Sequence, residues 1–215
     1  MIKAVFFDFD GVLVESLDIK NKAFAGLFER ESADARRAIM DYHLAHAGVS
    51  RYDKFRYFYK EILKRPLSEK EFAWLCERFS ALAAGNVIKA PYVKGAREFL
   101  DGFHKRYALY VVSATPREEI AGIVKRRGMS GYFRAVYGAP DAKKDVVKKV
   151  IADEGMDPAD AVYVGDALSD YEAAVSNGVG FIARLAGGTD VFEGRDCPKM
   201  KDLEGLAEVI AGWRR

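Results

Sequence analysis

Residues 6–16 read FFDFDGVLVES: Phe6, Phe7, Asp8, Phe9, Asp10, Gly11, then Val12 through Ser16. The segment leading into it, IKAVFF, is β-branched and aromatic enough to be a buried strand. Side chains two apart in a strand face the same way, so Asp8 and Asp10 are expected to share one small volume just past the strand's end. Like charges held that close repel and require a metal ion or a shared proton. Gly11 marks the turn that follows.

Working outward, residues 15–90 change character. KNKAFAGLFERES, ADARRAIMDYHLAHAG, YDKFRYFYKEILK and SEKEFAWLCERFSALAAGNVI carry apolar residues three or four apart, the period of helices, and none reads as a strand. The aromatic stripe Phe55, Tyr57, Phe58, Phe72, Trp74 and Phe79 is assigned to packing. From PYVKGAREFLDGF onward strand and helix alternate. YALYVVSAT is a strand, and PREEIAGIVKRRG a helix with Pro116 at its start and Gly128 past its end. RAVYGA is a strand, DAKKDVVKKVIADEG a helix capped by Asp141, AVYVGDALSD a strand running into acid, YEAAVSNG a helix and VGFIARL a strand. The terminal LAEVIAGWRR is an amphipathic helix closing the core, with Trp213 placed either inside or against a second copy.

Such alternation builds a parallel sheet covered by helices on both faces. The expected fold is therefore α/β, a Rossmann-like parallel sheet core of residues 1–14 and 91–215, with an all-helical cap, residues 15–90, inserted after the first strand. Segments 14–18 and 84–91 are the expected hinges.

Composition narrows the partners. With 34 basic and 32 acidic residues the chain is nearly neutral, which gives no ground for nucleic-acid binding. No apolar run is long enough for a membrane span, and the first residues meet acid too early for a signal peptide. Cys76 and Cys197 lie in no metal-binding spacing and suit a reducing compartment, so a cytoplasmic location is expected. Monomer and homodimer both remain open.

Four polar clusters fall at expected strand ends, where open α/β sheets bind ligands. They are Asp8 with Asp10; Ser113 with Thr115; Lys143 or Lys144; and Asp166 with Asp170 in GDALSD. Carboxylates, a hydroxyl and an ammonium around one mouth are what metal-assisted phosphoryl transfer through an aspartyl-phosphate requires. Asp8 is the expected nucleophile and Asp10 the general acid and base. Magnesium, which prefers oxygen ligands, is the expected cofactor, held by Asp8, Asp10 through its backbone carbonyl, Asp166 and Asp170.

With these residues in order the sequence resembles the haloacid dehalogenase superfamily, in the subgroup whose helical cap follows the first strand. The resemblance implies nucleophile and acid/base in the DxDG pattern at Asp8 and Asp10, a phosphate-binding hydroxyl at Ser113, a lysine at Lys143, five residues after Gly138, and a GDxxxD metal motif from Gly165 to Asp170. Members that release halide lack the second aspartate, so Asp10 argues for a phosphate ester whose leaving alcohol must be protonated. The expected activity is a phosphoglycolate phosphatase-like monoester hydrolase acting on a small phosphorylated metabolite.

The alternative is a β-phosphoglucomutase-like phosphomutase, because GVSR at 48–51 resembles that branch's cap loop. A different class, a non-catalytic phosphate sensor or partner-binding protein, would lack a reason for the complete catalytic set. On the cap, Ser50 and Arg51, with Thr115 from the core, are the candidate substrate-binding residues, Arg51 as a bidentate clamp on a carboxylate or second phosphate. In the mutase branch a linker histidine tunes the acid/base aspartate, and Lys20 stands at the matching position. Lys20 and Lys22 are read as solvent contacts, and His43 and His46 as core or surface histidines without a metal.

Overall fold

The computed structural model describes residues 1–186 and 190–213; residues 187–189 and 214–215, the last two of the expected terminal helix, lie outside it. Six strands form one parallel sheet in the order β3-β2-β1-β4-β5-β6. They are β1 Ala4–Phe7, β2 Ala108–Pro116, β3 Ala135–Ala139, β4 Ala161–Gly165, β5 Gly180–Arg184 and the two-residue β6 Lys199–Met200. β1 is central, its Ala4 paired with both Ala108 and Ala161.

Period-two alternation explains why β1 is apolar throughout. Val5 and Phe7 enter the core on one face of the sheet together with Leu109, Val111, Val162 and Val164. Ala4 and Phe6 enter the other with Tyr110, Val112, Ala161 and Tyr163. Each Val or Phe so buried contributes about 1.5–3 kcal/mol. Helices cover both faces: α5 Ala96–Phe103, α6 Arg117–Arg126, α7 Lys143–Asp153, α8 Leu168–Val175 and α9 Leu206–Ala211.

Between β1 and α5 lie α1 Leu17–Leu27, α2 Ala33–Ala45, α3 Arg51–Tyr57, a π-helical turn Phe58–Ile62 and α4 Glu69–Lys89, the helical cap inserted after the first strand. The cap has its own core, in which Phe24, Phe28, Ile39, Phe55, Phe58 and Phe79 pack together. Ser32, Ser50 and Ser68 accept the backbone N–H groups of Ala35, Asp53 and Glu71 at 3.2 Å, so three of the four cap helices start on a serine N-cap. Ser16, in the same position before α1, does not cap, because its hydroxyl is used elsewhere. The aromatic stripe divides: Phe55, Phe58 and Phe79 are buried and Phe72 packs against them, but Trp74 is 54% exposed and Tyr57 36%. The helical period turns those two outward.

The two connections between cap and core run side by side, with Val14 bridged to Tyr92 and the Glu15 N–H donating to the Pro91 carbonyl at 3.0 Å. One Arg127 nitrogen donates to the carbonyls of Val87, Ile88 and Ala90, satisfying the C-terminal end of α4 from the core.

One expectation changes. Asp141 does not cap α7: its carboxylate pairs with Arg117, and Ala142 occupies the cap position without a side-chain bond. Trp213, expected either inside or against a second copy, is half-buried on the bare backbone of Gly180, where a Cβ would lie 2.3 Å from Trp213 Cζ2. Among the described residues no helix is long and apolar enough to cross a membrane.

Candidate active site

β1 ends at Phe7, and the Asp8 N–H continues its ladder by donating to the Val164 carbonyl at 3.0 Å. The chain then turns at Gly11, whose φ of +77° favours glycine and where a Cβ would meet Asp166 Oδ2 at 2.4 Å. Asp8 and Asp10 both line a cavity of about 450 Å³ between cap and core, together with Ser113, Thr115 and Asp166. Three of the four clusters recognised in the sequence therefore reach this cavity, whereas Lys143 and Asp170 do not line it.

Asp8, Asp166 and Asp170 each bring a carboxylate oxygen within 4.8 Å of the others. The Lys143 ammonium donates to Asp170 Oδ1 at 2.6 Å and stands 3.3 Å from Asp8 Oδ1. That contact lacks hydrogen-bond alignment, so Asp8 Oδ1 is buried without a hydrogen bond. Burial, then the like charges of Asp170 and Asp10, push Asp8 up to about 7 against the pull of Lys143. Burial and the neighbouring Asp8 and Asp170 likewise hold Asp166 well above the usual carboxylate range. An under-bonded oxygen inside an acidic cluster fits a hard divalent cation. Asp170 is wholly buried and its second oxygen accepts the Ala167 N–H at 3.1 Å, so both its oxygens already have donors. Asp10 stands outside the cluster.

Asp10 instead faces the cap. Ser16 donates to its Oδ1 at 2.6 Å, Thr115 donates to Oδ2 at 3.1 Å, and the Lys20 ammonium is in direct contact with Oδ2. Lys20 also donates to Thr115 Oγ1 at 2.7 Å. Burial works to raise Asp10, but the Lys20 charge and these hydrogen bonds outweigh it and hold the carboxyl below its ordinary value. Lys20, read from sequence as a solvent contact, is thus the partner of the second aspartate. Its sequence signals were its match to the position of the mutase branch's linker histidine and its place one helical turn into α1, four residues after Ser16.

Ser113 is buried, its Oγ accepting the Thr115 N–H at 3.1 Å and leaving its own O–H free. Lys143 is buried whereas Lys144 is exposed.

The cap candidates separate. Ser50 starts α3, donates to Asp53 Oδ2 at 2.6 Å and does not line the cavity. Arg51 does line it, but its guanidinium donates to Ser80 Oγ at 2.8 Å and to Glu119 Oε1 of α6 at 2.6 Å, over the Phe79 ring. Ser80 also donates to Glu119. Arg51 therefore joins cap to core. Gly48 closes the same seam: its φ is +78°, and a Cβ there would meet Ser169 Oγ at 2.2 Å and Ala167 Cβ at 2.8 Å. Two further cations line the cavity that the sequence did not single out. Arg184 donates to the Gly11 carbonyl at 3.0 Å and to Glu15 at 2.6 Å, and Lys54 lies buried beside His43. We expect Arg51→Ala and Glu119→Ala to destabilise the protein non-additively in urea, with a coupling of about 0.5–3 kcal/mol; additive losses would mean the pair does not join the two parts.

A phosphoglycolate phosphatase from Synechococcus elongatus is 31% identical over 190 residues, covering 85% of this chain and 82% of that protein. Two solved structures share the fold. A predicted phosphoglycolate phosphatase from Haemophilus somnus has a TM-score of 0.77 at 18% identity, covering 97% of each chain. A β-phosphoglucomutase from Clostridium difficile has a TM-score of 0.77 at 16% identity, covering 98% of each. The family of haloacid dehalogenase-like hydrolases matches residues 5–184, a span that contains every strand-end cluster described above. With its parallel sheet, its inserted helical cap and its aspartate cluster, the chain belongs to the haloacid dehalogenase-like hydrolases.

Proposed function

We propose that the protein is a cytoplasmic, magnesium-dependent phosphatase that hydrolyses a small phosphate monoester through a phosphorylated Asp8, with phosphoglycolate the leading substrate. The observation that carries the reading is geometric: in one cavity Asp8 belongs to a carboxylate cluster with Asp166 and Asp170, where a divalent cation would sit, whereas the Asp10 carboxylate stands apart from that cluster against Ser16, Thr115 and Lys20. The Synechococcus relative supports the substrate class.

Asp8 and Asp166, with Asp170 behind them, would hold the metal. When bound, magnesium supplies positive charge that keeps these carboxylates ionised and draws charge from the phosphoryl oxygens. The Ser113 O–H and the Lys143 ammonium orient the phosphoryl group.

Asp8 attacks phosphorus, the ester P–O bond breaks, and Asp10 gives a proton to the departing alkoxide. Water then attacks phosphorus, Asp10 takes its proton, and the bond to Asp8 breaks to free phosphate. The Lys20 contact keeps Asp10 ionised for that second step. Arrival of the anionic phosphoryl group works against Lys20 and favours the protonated form needed in the first. Water needs no dedicated acceptor site, whereas a mutase must shield its aspartyl-phosphate from it, which favours the hydrolase.

Lys20→Met raises Asp10, the proton donor of the first step, and therefore moves the basic limb of the kcat/KM profile to higher pH; an unmoved limb would remove Asp10 from the titration. The deciding assay is phosphate release from phosphoglycolate, hexose phosphates and nucleoside monophosphates, with and without magnesium, beside an Asp8→Asn blank. Metal-dependent release led by phosphoglycolate is expected. A phosphorylated Asp8 that persists with little release would overturn the hydrolase in favour of the mutase.

A further inference from the structure

The cations around the cavity other than Lys54 each meet a carboxylate. Lys20 meets Asp10, Arg51 meets Glu119, Arg184 meets Glu15 and the Gly11 carbonyl, and Lys143 meets Asp170. Lys54 differs. It is 3% exposed, it lines the cavity, and among the described residues its ammonium donates only to His43 Nδ1 at 2.9 Å and to the His43 carbonyl at 3.2 Å. Three N–H groups face two acceptors, so one remains uncommitted.

The position of this ammonium is built rather than incidental. His43 Nδ1 accepts from Lys54, which leaves its Nε2–H to donate to Asn21 Oδ1 at 2.8 Å. Burial, with Lys54 and Lys20 nearby, pushes His43 down to about 3, so the ring stays a neutral acceptor. Phe24 packs on His43 with ring centroids 4.2 Å apart and lies 5.5 Å from the Lys54 ammonium. Burial and the Lys20 charge push Lys54 itself down to about 7, the mark of a charge enclosed without its counter-ion. A relay that holds an uncompensated cation against a substrate cavity costs stability, a cost that proteins accept at functional sites.

We infer that Lys54 binds a second anionic group, a carboxylate or a phosphate, on the alcohol part of the substrate and so makes the enzyme selective for doubly anionic phosphate esters. The inference rests on the phosphatase reading for its substrate and assigns the selectivity to Lys54 rather than to Arg51, whose charge Glu119 already meets.

The test compares phosphoglycolate, ethane-1,2-diol bisphosphate and 2-hydroxyethyl phosphate, which carry a carboxylate, a second phosphate and no second charge. With magnesium, Lys54→Met lowers kcat/KM for one or both of the doubly anionic esters about 10–100-fold more than for hydroxyethyl phosphate. Which of the two loses more names the anion. Lys54→Arg restores part of the preference. Equal losses on all three esters, or a wild type without preference, overturn the inference.

Calorimetric titration of Asp8→Asn with phosphoglycolate and hydroxyethyl phosphate, with and without Lys54→Met, gives a readout free of turnover. The same selective loss of binding is expected there, and its absence overturns the role of Lys54. Absence of phosphate release by the wild type from every ester overturns the phosphatase reading instead. Lys54→Met removes a buried charge and keeps the chain length, so it should fold; a higher Tm than wild type would show this directly.

Discussion

Asp8→Asn abolishes turnover, by at least about 10⁴-fold, while the protein stays folded. An amide oxygen does not attack phosphorus, and asparagine fills the same volume at the end of β1. The substitution also removes one of three clustered carboxylates, so it relieves repulsion that the metal-free protein carries. The sign of the pH dependence follows from where the proton sits. Asp8 is pushed up to about 7 in the fold from an ordinary value of 3.8, so between those limits the unfolded chain releases a proton that the folded one keeps. Metal-free wild type therefore loses this part of its stability as pH rises from about 4 to about 7. Asp8→Asn does not, and in chelator the Tm difference between variant and wild type should widen across that window. Millimolar magnesium should narrow it at pH 7.5, because a ligand bound only by the folded state stabilises it. Residual turnover above a hundredth of wild type would refute the nucleophile; a Tm difference constant with pH would refute the crowded-carboxylate account.

Lys143→Met should produce the second large effect, on stability and activity together. The Lys143 side chain is 6% exposed and its partner Asp170 is fully enclosed, so the variant leaves a buried carboxylate without its cation. Breaking a buried pair from one side costs about 3–5 kcal/mol. Loss of the ammonium beside Asp8 removes charge stabilisation of the phosphoryl group and lowers kcat/KM by about 10²–10³-fold. The control is Lys144→Met, one residue on and exposed, which should stay within about 0.5 kcal/mol of wild type. Equal behaviour of the two variants in urea and in the phosphate assay would refute the assignment to Lys143.

Much of the fold was legible because its signals are local. Ala4–Phe7 of IKAVFF lies between β2 and β4 and is buried on both faces, as an unbroken apolar strand should be. The helical period of residues 15–90 became α1 to α4, and a serine N-cap starts three of them. Local signals also misled where a side chain had a better partner elsewhere. Asp141 left α7 uncapped to pair with Arg117, and Ser50 stayed with its own helix.

By itself the sequence determined the order of the site: acids, hydroxyl, lysine and acids again, each at a strand end of a parallel sheet, where such folds gather their ligands. Only the tertiary structure decided which side chains meet. Lys20 finds Thr115 at a separation of 95 residues, Arg51 finds Glu119 at 68, and Lys143 rather than Lys144 turns inward to Asp170 at 27. Periodicity specifies which face of an element is buried, but not which residue of another element stands opposite. That pairing depends on how the cap closes on the sheet, and so Lys54, the cavity-lining cation without an anion among the described residues, became visible only in the folded molecule.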